Sequence, residues 1–395
     1  MTHNDLNRRS FLKTSLLGSA GAIFSSSIFA HPSKRNNGNE DESKPIIKRK
    51  LGKTGIELPI VSFGVMRADS PALVQAALKA GIVHFDTAHG YQRGKNEEML
   101  GDVFKSVPRD SFIISTKIKP ESKENIKQQF GEMLDLSLKR LKLNYVDILY
   151  IHAVSSRDEA LTPEWLEAIT NAKKTGKAKH IGMSTHQNES EVIQVAIDSK
   201  IYEVVLSSIN YKQDHYQELK KAIEKANQAG IGIIAMKTMA GGFLDRERTK
   251  PVNCKAALKF VLQDENITTA IPGITNFDQL NMNVSVNTDL ILTPEERNDL
   301  AIGDTHGSLY CQQCGQCIPN CSKKLPIPDI MRAYMYTYGY NDNHQAHSLL
   351  AILELPENLC SDCTRCSVVC SKKFKVREKI MDVARLTKVP VEFLG

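Results

Sequence analysis

Much of what this chain of 395 residues could be is excluded by what it does not contain. No run of about eighteen uninterrupted apolar residues occurs, so no conventional membrane-spanning helix is expected in the mature chain. Lys and Arg total 51 against 45 Asp and Glu, and no dense basic block stands in the part expected to fold. That leaves no electrostatic footprint for nucleic acid. With 41% hydrophobic and 24% charged residues, the composition excludes wholesale disorder and collagen-like sequence. Cysteine is nearly missing from the first three hundred residues, where Cys254 stands alone. Tryptophan occurs once, at Trp165, within an amphipathic segment where packing is the expected role.

The N-terminus is distinct. Asn7-Arg8-Arg9-Ser10-Phe11-Leu12-Lys13 precedes a weakly apolar, Ser- and Gly-rich stretch from Thr14 to Phe29. It resembles a twin-arginine export signal, with Ala30 the expected last residue removed. Residues 31–45 read as a polar linker. The expected location is therefore the periplasm.

From Leu51 onward, short β-branched runs alternate with amphipathic segments. Strands are predicted at residues 60–64, 84–87, 112–117, 146–152, 180–184, 204–208, 232–237 and 268–272. The intervening helices are often stopped by Gly81, Gly176 or Gly230. Eight such units in about 250 residues predict an α/β fold, a (β/α)₈ TIM barrel over residues 46–303. No Gly-x-Gly-x-x-Gly follows the first strand, so the open Rossmann sheet is disfavoured.

In such a barrel the chemistry collects at the carboxyl ends of the strands. Asp86 ends the second strand, with Tyr91 in the loop beyond it. Lys117 ends the third and His152 the fourth. A phenol beside an ammonium is expected to ionise more readily, with Asp86 holding the ammonium of Lys117. Tyr91 would then exchange a proton with a carbonyl or alcohol oxygen as hydride moves at carbon.

These residues, with Leu51-Gly52-Lys53-Thr54-Gly55, Phe85-Asp86-Thr87-Ala88, Gly94, Asp147 to His152, Gly176-Lys177, Ile181 to Ser184 and Ile271-Pro272-Gly273, resemble the aldo-keto reductase family over residues 46–300. The resemblance implies a nicotinamide dinucleotide and a small-molecule carbonyl or alcohol substrate. It implies Tyr91 as proton donor, Asp86 and Lys117 tuning it, and His152 orienting the carbonyl. Ser184 would meet the nicotinamide carboxamide, although Thr185 replaces the usual Asn. Met236-Lys237 replaces a stacking tyrosine, Met236 packing on the ring and Lys237 reaching a phosphate. Gly273 to Asn283 would read the adenosine end, with Asn283 an adenine contact. Gln279 stands where an Arg often binds a 2′-phosphate, so the cofactor, NAD(H) or NADP(H), leans to NAD(H).

The remaining eight cysteines form two identical runs, C-x₂-C-x₂-C-x₃-C: Cys311, Cys314, Cys317, Cys321 and Cys360, Cys363, Cys366, Cys370. Clusters, structural zinc and disulfides are the competing readings, and triples spaced by three suit a cubane best. The runs resemble a two-cluster bacterial ferredoxin, with Ser322 and Ser371 replacing the usual Pro. That resemblance implies two [4Fe-4S] clusters, one on Cys311, Cys314, Cys317 and Cys370, the other on Cys360, Cys363, Cys366 and Cys321. Residues 304–395 are thus expected to form a small, mainly α-helical ferredoxin-like domain. A helix is predicted from Pro328 to Tyr338, stopped by Gly339, with its tyrosines packing around the clusters and the barrel. The resulting expectation is an oxidoreductase exchanging hydride with a carbonyl or alcohol, its clusters passing electrons to or from a redox partner protein. The alternative is an electron-transfer or scaffold protein with a non-catalytic barrel.

Overall fold

The computed structural model describes residues 45–120, 124–245, 247–305, 309–356 and 358–394. The expected export signal and residues 31–44 of the linker lie outside the described residues. A hairpin, β1 (Lys48–Lys50) and β2 (Glu57–Pro59), precedes the barrel. The barrel then runs β3 (Phe63–Gly64), α1 (Pro71–Lys79), β4 (His84–Asp86), α2 (Lys95–Phe104), β5 (Ile113–Ile118), α3 (Ile126–Leu141) and β6 (Val146–Ile151). It continues through α4 (Arg157–Ala160), α5 (Pro163–Lys174), β7 (Ala178–Thr185), α6 (Glu189–Ser199), β8 (Val204–Ser208) and α7 (Tyr216–Ala229). β9 (Gly232–Met236), α8 (Cys254–Leu262), β10 (Thr269–Ala270), α9 (Phe277–Ser285) and α10 (Pro294–Thr305) complete it.

β3 to β10 form one eight-stranded parallel sheet in sequential order. Parallel bridges Val61↔Ala270 and Gly64↔Gly273 join its two edges, giving the (β/α)₈ barrel. The first and last strands are shorter than their apolar runs suggest, because a barrel seam needs only the few residues that face each other across it. Closure is tight: a Cβ on Gly64 would lie 2.6 Å from the carbonyl oxygen of Ile271, so only glycine admits it.

Side chains alternate along each strand, and Ile148, Tyr150, Val204, Leu206 and Ile234 fill the interior. Leu51 and Leu58, around the hairpin, join that cluster. Each such fully buried aliphatic side chain contributes about 1.5–3 kcal/mol over its exposed state. The helices pack outside on a second, larger apolar layer that includes Trp165.

Beyond the barrel come α11 (Ile327–Tyr340), α12 (Asn343–Ile352) and α13 (Val376–Val383). They share a core of Ile327, Ile330, Met331, Leu350 and Ile380 with Cys317 and Cys360, and Met66 of the barrel packs against it. Residues 45–395 form one compact unit. α11 does not stop at Gly339 but runs to Tyr340, closed by Asn341 at φ 56°. A Cβ at Gly339 would lie 3.1 Å from the Tyr310 ring, so this glycine is a seat for an aromatic ring rather than a helix stop.

Candidate active site

Three predicted residues meet because of strand register. Asp86 on β4 pairs with Ser115 on β5, and Lys117 lies two residues on, pointing to the same face. Ser115 Oγ donates to Asp86 Oδ1 at 2.6 Å, and Lys117 Nζ donates to Asp86 Oδ2 at 2.5 Å. Lys117 Nζ also donates to the Thr87 carbonyl at 2.6 Å and to the Tyr91 hydroxyl at 3.3 Å. The Tyr91 loop is pinned by Gln92, whose Nε2 donates to the carbonyls of Met66 and Ala68 at 3.0 and 3.1 Å. His152 follows β6, and its ring stands 6.0 Å from that of Tyr91, nearly perpendicular to it.

The electrostatics differ from the expectation in one respect. Burial, and then the charge of Asp86, push the Tyr91 phenol well above its ordinary 10. Burial outweighs the neighbouring ammonium of Lys117, which donates to the phenol oxygen at 3.3 Å. Tyr91 is therefore a proton donor held protonated. Burial, reinforced by Lys117 and Arg332, holds His152 well below 6.5 and hence neutral. Burial likewise lowers Lys117 from its usual value.

Asp86 and Tyr91 open onto a cavity of about 310 Å³ at the carboxyl ends of the strands. Met236, Lys237, Gly273, Gln279 and Asn283 line it as well. Ser184 and Thr185 do not. Ser184 Oγ accepts the Ala153 N–H at 2.9 Å, and Thr185 Oγ1 donates to the Gln187 carbonyl at 2.6 Å, so both side chains engage local backbone. The polar group offered to the cavity from this strand end is instead His186, buried, with Nδ1 unpartnered among the described residues. Gln279 is partly engaged too, its Oε1 accepting from the Thr275 N–H at 2.8 Å. Lys237 donates to the Tyr340 hydroxyl at 3.0 Å. Cys254, expected only to pack, lines the cavity.

Thr238 Oγ1 and Asn283 Oδ1 are also buried without partners, and both residues line the cavity. With His186 they form orphaned polar groups around the cleft, which fits a ligand with several hydrogen-bonding edges, such as a nicotinamide dinucleotide.

The C-terminal module, whose tyrosines were expected to pack around the clusters and the barrel, also completes this cavity. Tyr336 and Tyr340 of α11, with Tyr310, Cys311 and Gln313, form one wall. Tyrosines at period two on a helix split into i,i+4 pairs on neighbouring faces. The Tyr336 and Tyr340 rings lie 5.8 Å apart and tilted, on the cavity side, and those of Tyr334 and Tyr338 lie 4.5 Å apart and tilted, off the cavity lining.

All eight clustered cysteines are free thiols. Cys321, Cys360, Cys363 and Cys366 line a single cleft with Leu325, Ile327 and Ile380. The Cys311 thiol, pushed up to about 12 first by burial, is raised further by Cys317, Cys314 and Cys370. The structure thus groups the cysteines across the two runs, three from one and the last from the other. Among the described residues no three His, Cys, Asp or Glu converge on the position of one metal ion. Cys321, Cys360, Cys363 and Cys366 line a cleft rather than converge on a point, and four thiols around such a cleft fit the ligand number and chemistry of a cluster.

Residues 61–256 match the Aldo/keto reductase family. A methylglyoxal reductase, DkgB, of Salmonella typhimurium is 30% identical, with 47% of this chain and 68% of that protein covered. An L-galactose dehydrogenase of Arabidopsis thaliana is 27% identical over 61% of this chain and 88% of its own length. An L-glyceraldehyde 3-phosphate reductase of Escherichia coli is 26% identical over 63% and 89%. The fold is shared with an aldo-keto reductase from Bacillus halodurans in its holo form, at TM-score 0.54 and 21% identity, covering 66% of this chain and 96% of that one.

Proposed function

The chain belongs to the aldo/keto reductase family, and on that premise we propose that it is an exported oxidoreductase whose barrel exchanges hydride with a carbonyl or alcohol while two [4Fe-4S] clusters pass electrons to and from the same cavity. The observation that carries this reading is the sharing of one cavity by Tyr91, Asp86 and Cys311. When bound, the nicotinamide supplies the hydride and the clusters supply one-electron storage.

The chain's own residues do the rest. Tyr91, held protonated, gives its proton to the carbonyl oxygen as charge develops there. Neutral His152 donates a hydrogen bond to that oxygen and fixes the carbonyl's direction. Lys117, clamped by Asp86, offsets the charge left on the phenolate within a buried and therefore strongly interacting site. Residue by residue, Asn283, Thr238 and His186 supply cavity-facing polar atoms to the dinucleotide, while Met236 gives an apolar floor. The stretch Gly273–Asn283 contains no Lys or Arg, which supports NAD(H) over NADP(H).

The cysteine frames support two clusters, one on Cys311, Cys314, Cys317 and Cys370 beside the barrel cavity, the other on Cys321, Cys360, Cys363 and Cys366. The cleft of the second set also bears Lys323, Arg365 and Arg377, which supports docking of an acidic redox partner there. Arg8-Arg9 and the apolar stretch after it support export of the folded protein to the periplasm, with nucleotide and clusters acquired beforehand.

Anaerobically purified protein tested with NADH against short aldehydes, with iron, sulfide and released nucleotide assayed, decides the reading. Aldehyde-dependent oxidation of NADH by an iron-containing protein is expected. Absence of turnover with every aldehyde contradicts the enzymatic part, and absence of iron contradicts the clusters.

A further inference from the structure

The charges lining the barrel cavity do not balance. Asp86 is the only carboxylate among the described lining residues, and it is already committed to Lys117 and Ser115. Two cations face the same space. Lys237 stands at the end of β9, its Nζ 3.0 Å from the Tyr340 hydroxyl and 4.8 and 5.5 Å from the ring centres of Tyr340 and Tyr336. Arg67, just past β3, lies on the rim with its guanidinium 5.3 Å from the Tyr340 ring.

Neither has a carboxylate partner among the described residues. Three neighbouring cations do: Lys117 with Asp86 at 2.5 Å, Lys119 with Glu159 at 2.7 Å and Arg332 with Asp329 at 2.6 Å. Rings soften an ammonium's desolvation without neutralising it. Lys237 is also held in the left-handed region at φ 59°, a conformation that costs a lysine energy and gathers at functional sites.

Resting on the carbonyl-reductase reading above, we propose that the substrate carries an anionic group, a carboxylate or phosphate, close to its reactive carbonyl, and that Lys237 and Arg67 hold that anion against Tyr340. The placement follows from Lys237, whose charge is felt by both Tyr91 and His152, which puts it at the reacting end of the cavity. Tyr340 comes from α11, so the site exists only when barrel and C-terminal module are packed together. The substrate class is a short oxo acid or phosphorylated aldehyde, or the matching hydroxy compound. The same oxyanion chemistry is found in a dinucleotide's phosphates, so the test separates the two sources.

The test measures kcat/KM of anaerobic holoprotein for two matched pairs, butanal against succinic semialdehyde and glyceraldehyde against glyceraldehyde 3-phosphate. Affinities for NADH and NADPH and binding of oxalate and inorganic phosphate by calorimetry are measured on the same samples. At least a tenfold preference for the anionic member of one pair is expected. Lys237→Met and Arg67→Met are each expected to reduce that preference tenfold or more and to abolish oxalate or phosphate binding, while nucleotide affinity moves less than threefold. Lys237→Arg should restore the preference. Equal use of both members by the unaltered protein overturns the proposal. Loss of nucleotide affinity in the variants with the substrate ratio unchanged also overturns it, assigning the cations to the cofactor. Oxalate or phosphate binding lost in both variants, with no carbonyl turnover in any protein, upholds the anion site and removes the reductase reading.

Discussion

Asp86→Asn is the substitution with the most fully worked consequence. It keeps the shape at the end of β4 and one acceptor for Ser115, but it removes the negative charge from beside Lys117. Both side chains are almost wholly inaccessible, 1% exposed for Lys117 and 3% for Asp86. Removing one member of such a pair leaves an uncompensated buried charge, at a cost of about 3–5 kcal/mol. With a urea dependence of about 3 kcal/mol per M, the unfolding midpoint should fall by about 1–1.7 M. The cost depends on pH with a definite sign. Lys117 is already lowered below its ordinary value by burial, and without Asp86 it falls further, so the unfolded chain binds the extra proton. Stability of the variant relative to the unaltered protein therefore recovers as pH rises from 7 toward 10. The double variant Asp86→Asn with Lys117→Met should be more stable than Asp86→Asn alone, since no buried charge remains. Urea unfolding followed by circular dichroism at pH 7 and 9 measures all of this. A midpoint within 0.2 M of the unaltered protein, or a deficit that grows with pH, refutes the argument.

Four further outcomes are expected. Tyr91→Phe removes the transferable proton and little else, so carbonyl reduction should fall at least a thousandfold with nucleotide affinity nearly unchanged; activity within threefold of the unaltered protein rejects the assignment. Because Tyr91 is raised above 10 and His152 lowered below 6.5, kcat for reduction should be flat between pH 7 and 9, whereas an inflection in that window that disappears in Tyr91→Phe would show a phenol of lowered pKa. Cys314→Ala and Cys363→Ala should each remove roughly half the iron and half the broad absorbance near ~400 nm, and full retention in either variant excludes that cysteine as a ligand. A Cβ at Gly182 would lie 2.2 Å from the Val204 carbonyl oxygen inside the barrel, so Gly182→Ala should cost about 3 kcal/mol in urea unfolding; a change below 0.5 kcal/mol refutes the tight packing there.

The barrel is legible because its strands are short β-branched runs set between glycine-stopped amphipathic helices, a pattern local enough to read residue by residue. Asp86, Lys117 and His152 are legible for a related reason: each stands at the carboxyl end of such a run, where the fold gathers polar groups around Tyr91. What was not legible depends on contacts distant in sequence. Nothing local to Tyr336 or Tyr340 indicates that α11 closes the barrel mouth, since that follows from packing between residues a hundred or more positions apart, as in Lys237 to Tyr340. Ser184, expected to meet the nicotinamide, lies off the lining of the cavity with its Oγ accepting the Ala153 N–H, a contact set by the turn after β6. His186, two residues on, carries the signal that was passed over, a histidine just beyond a strand's carboxyl end. The phenol's upward shift was missed because burial, its chief cause, is set by packing from elements distant in sequence.

The central claim is that the hydride site and the cysteine module act on one cavity. It is tested most directly by reducing the anaerobic holoprotein with one-electron donor, removing the donor, and following absorbance near ~400 nm when oxidised nicotinamide and a carbonyl substrate are added together. Re-oxidation of the clusters that requires oxidised nicotinamide, is accompanied by reduction of the carbonyl, and is lost in Cys311→Ala, is the predicted result. Clusters that stay reduced while the protein still reduces the same carbonyl with NADH would contradict it.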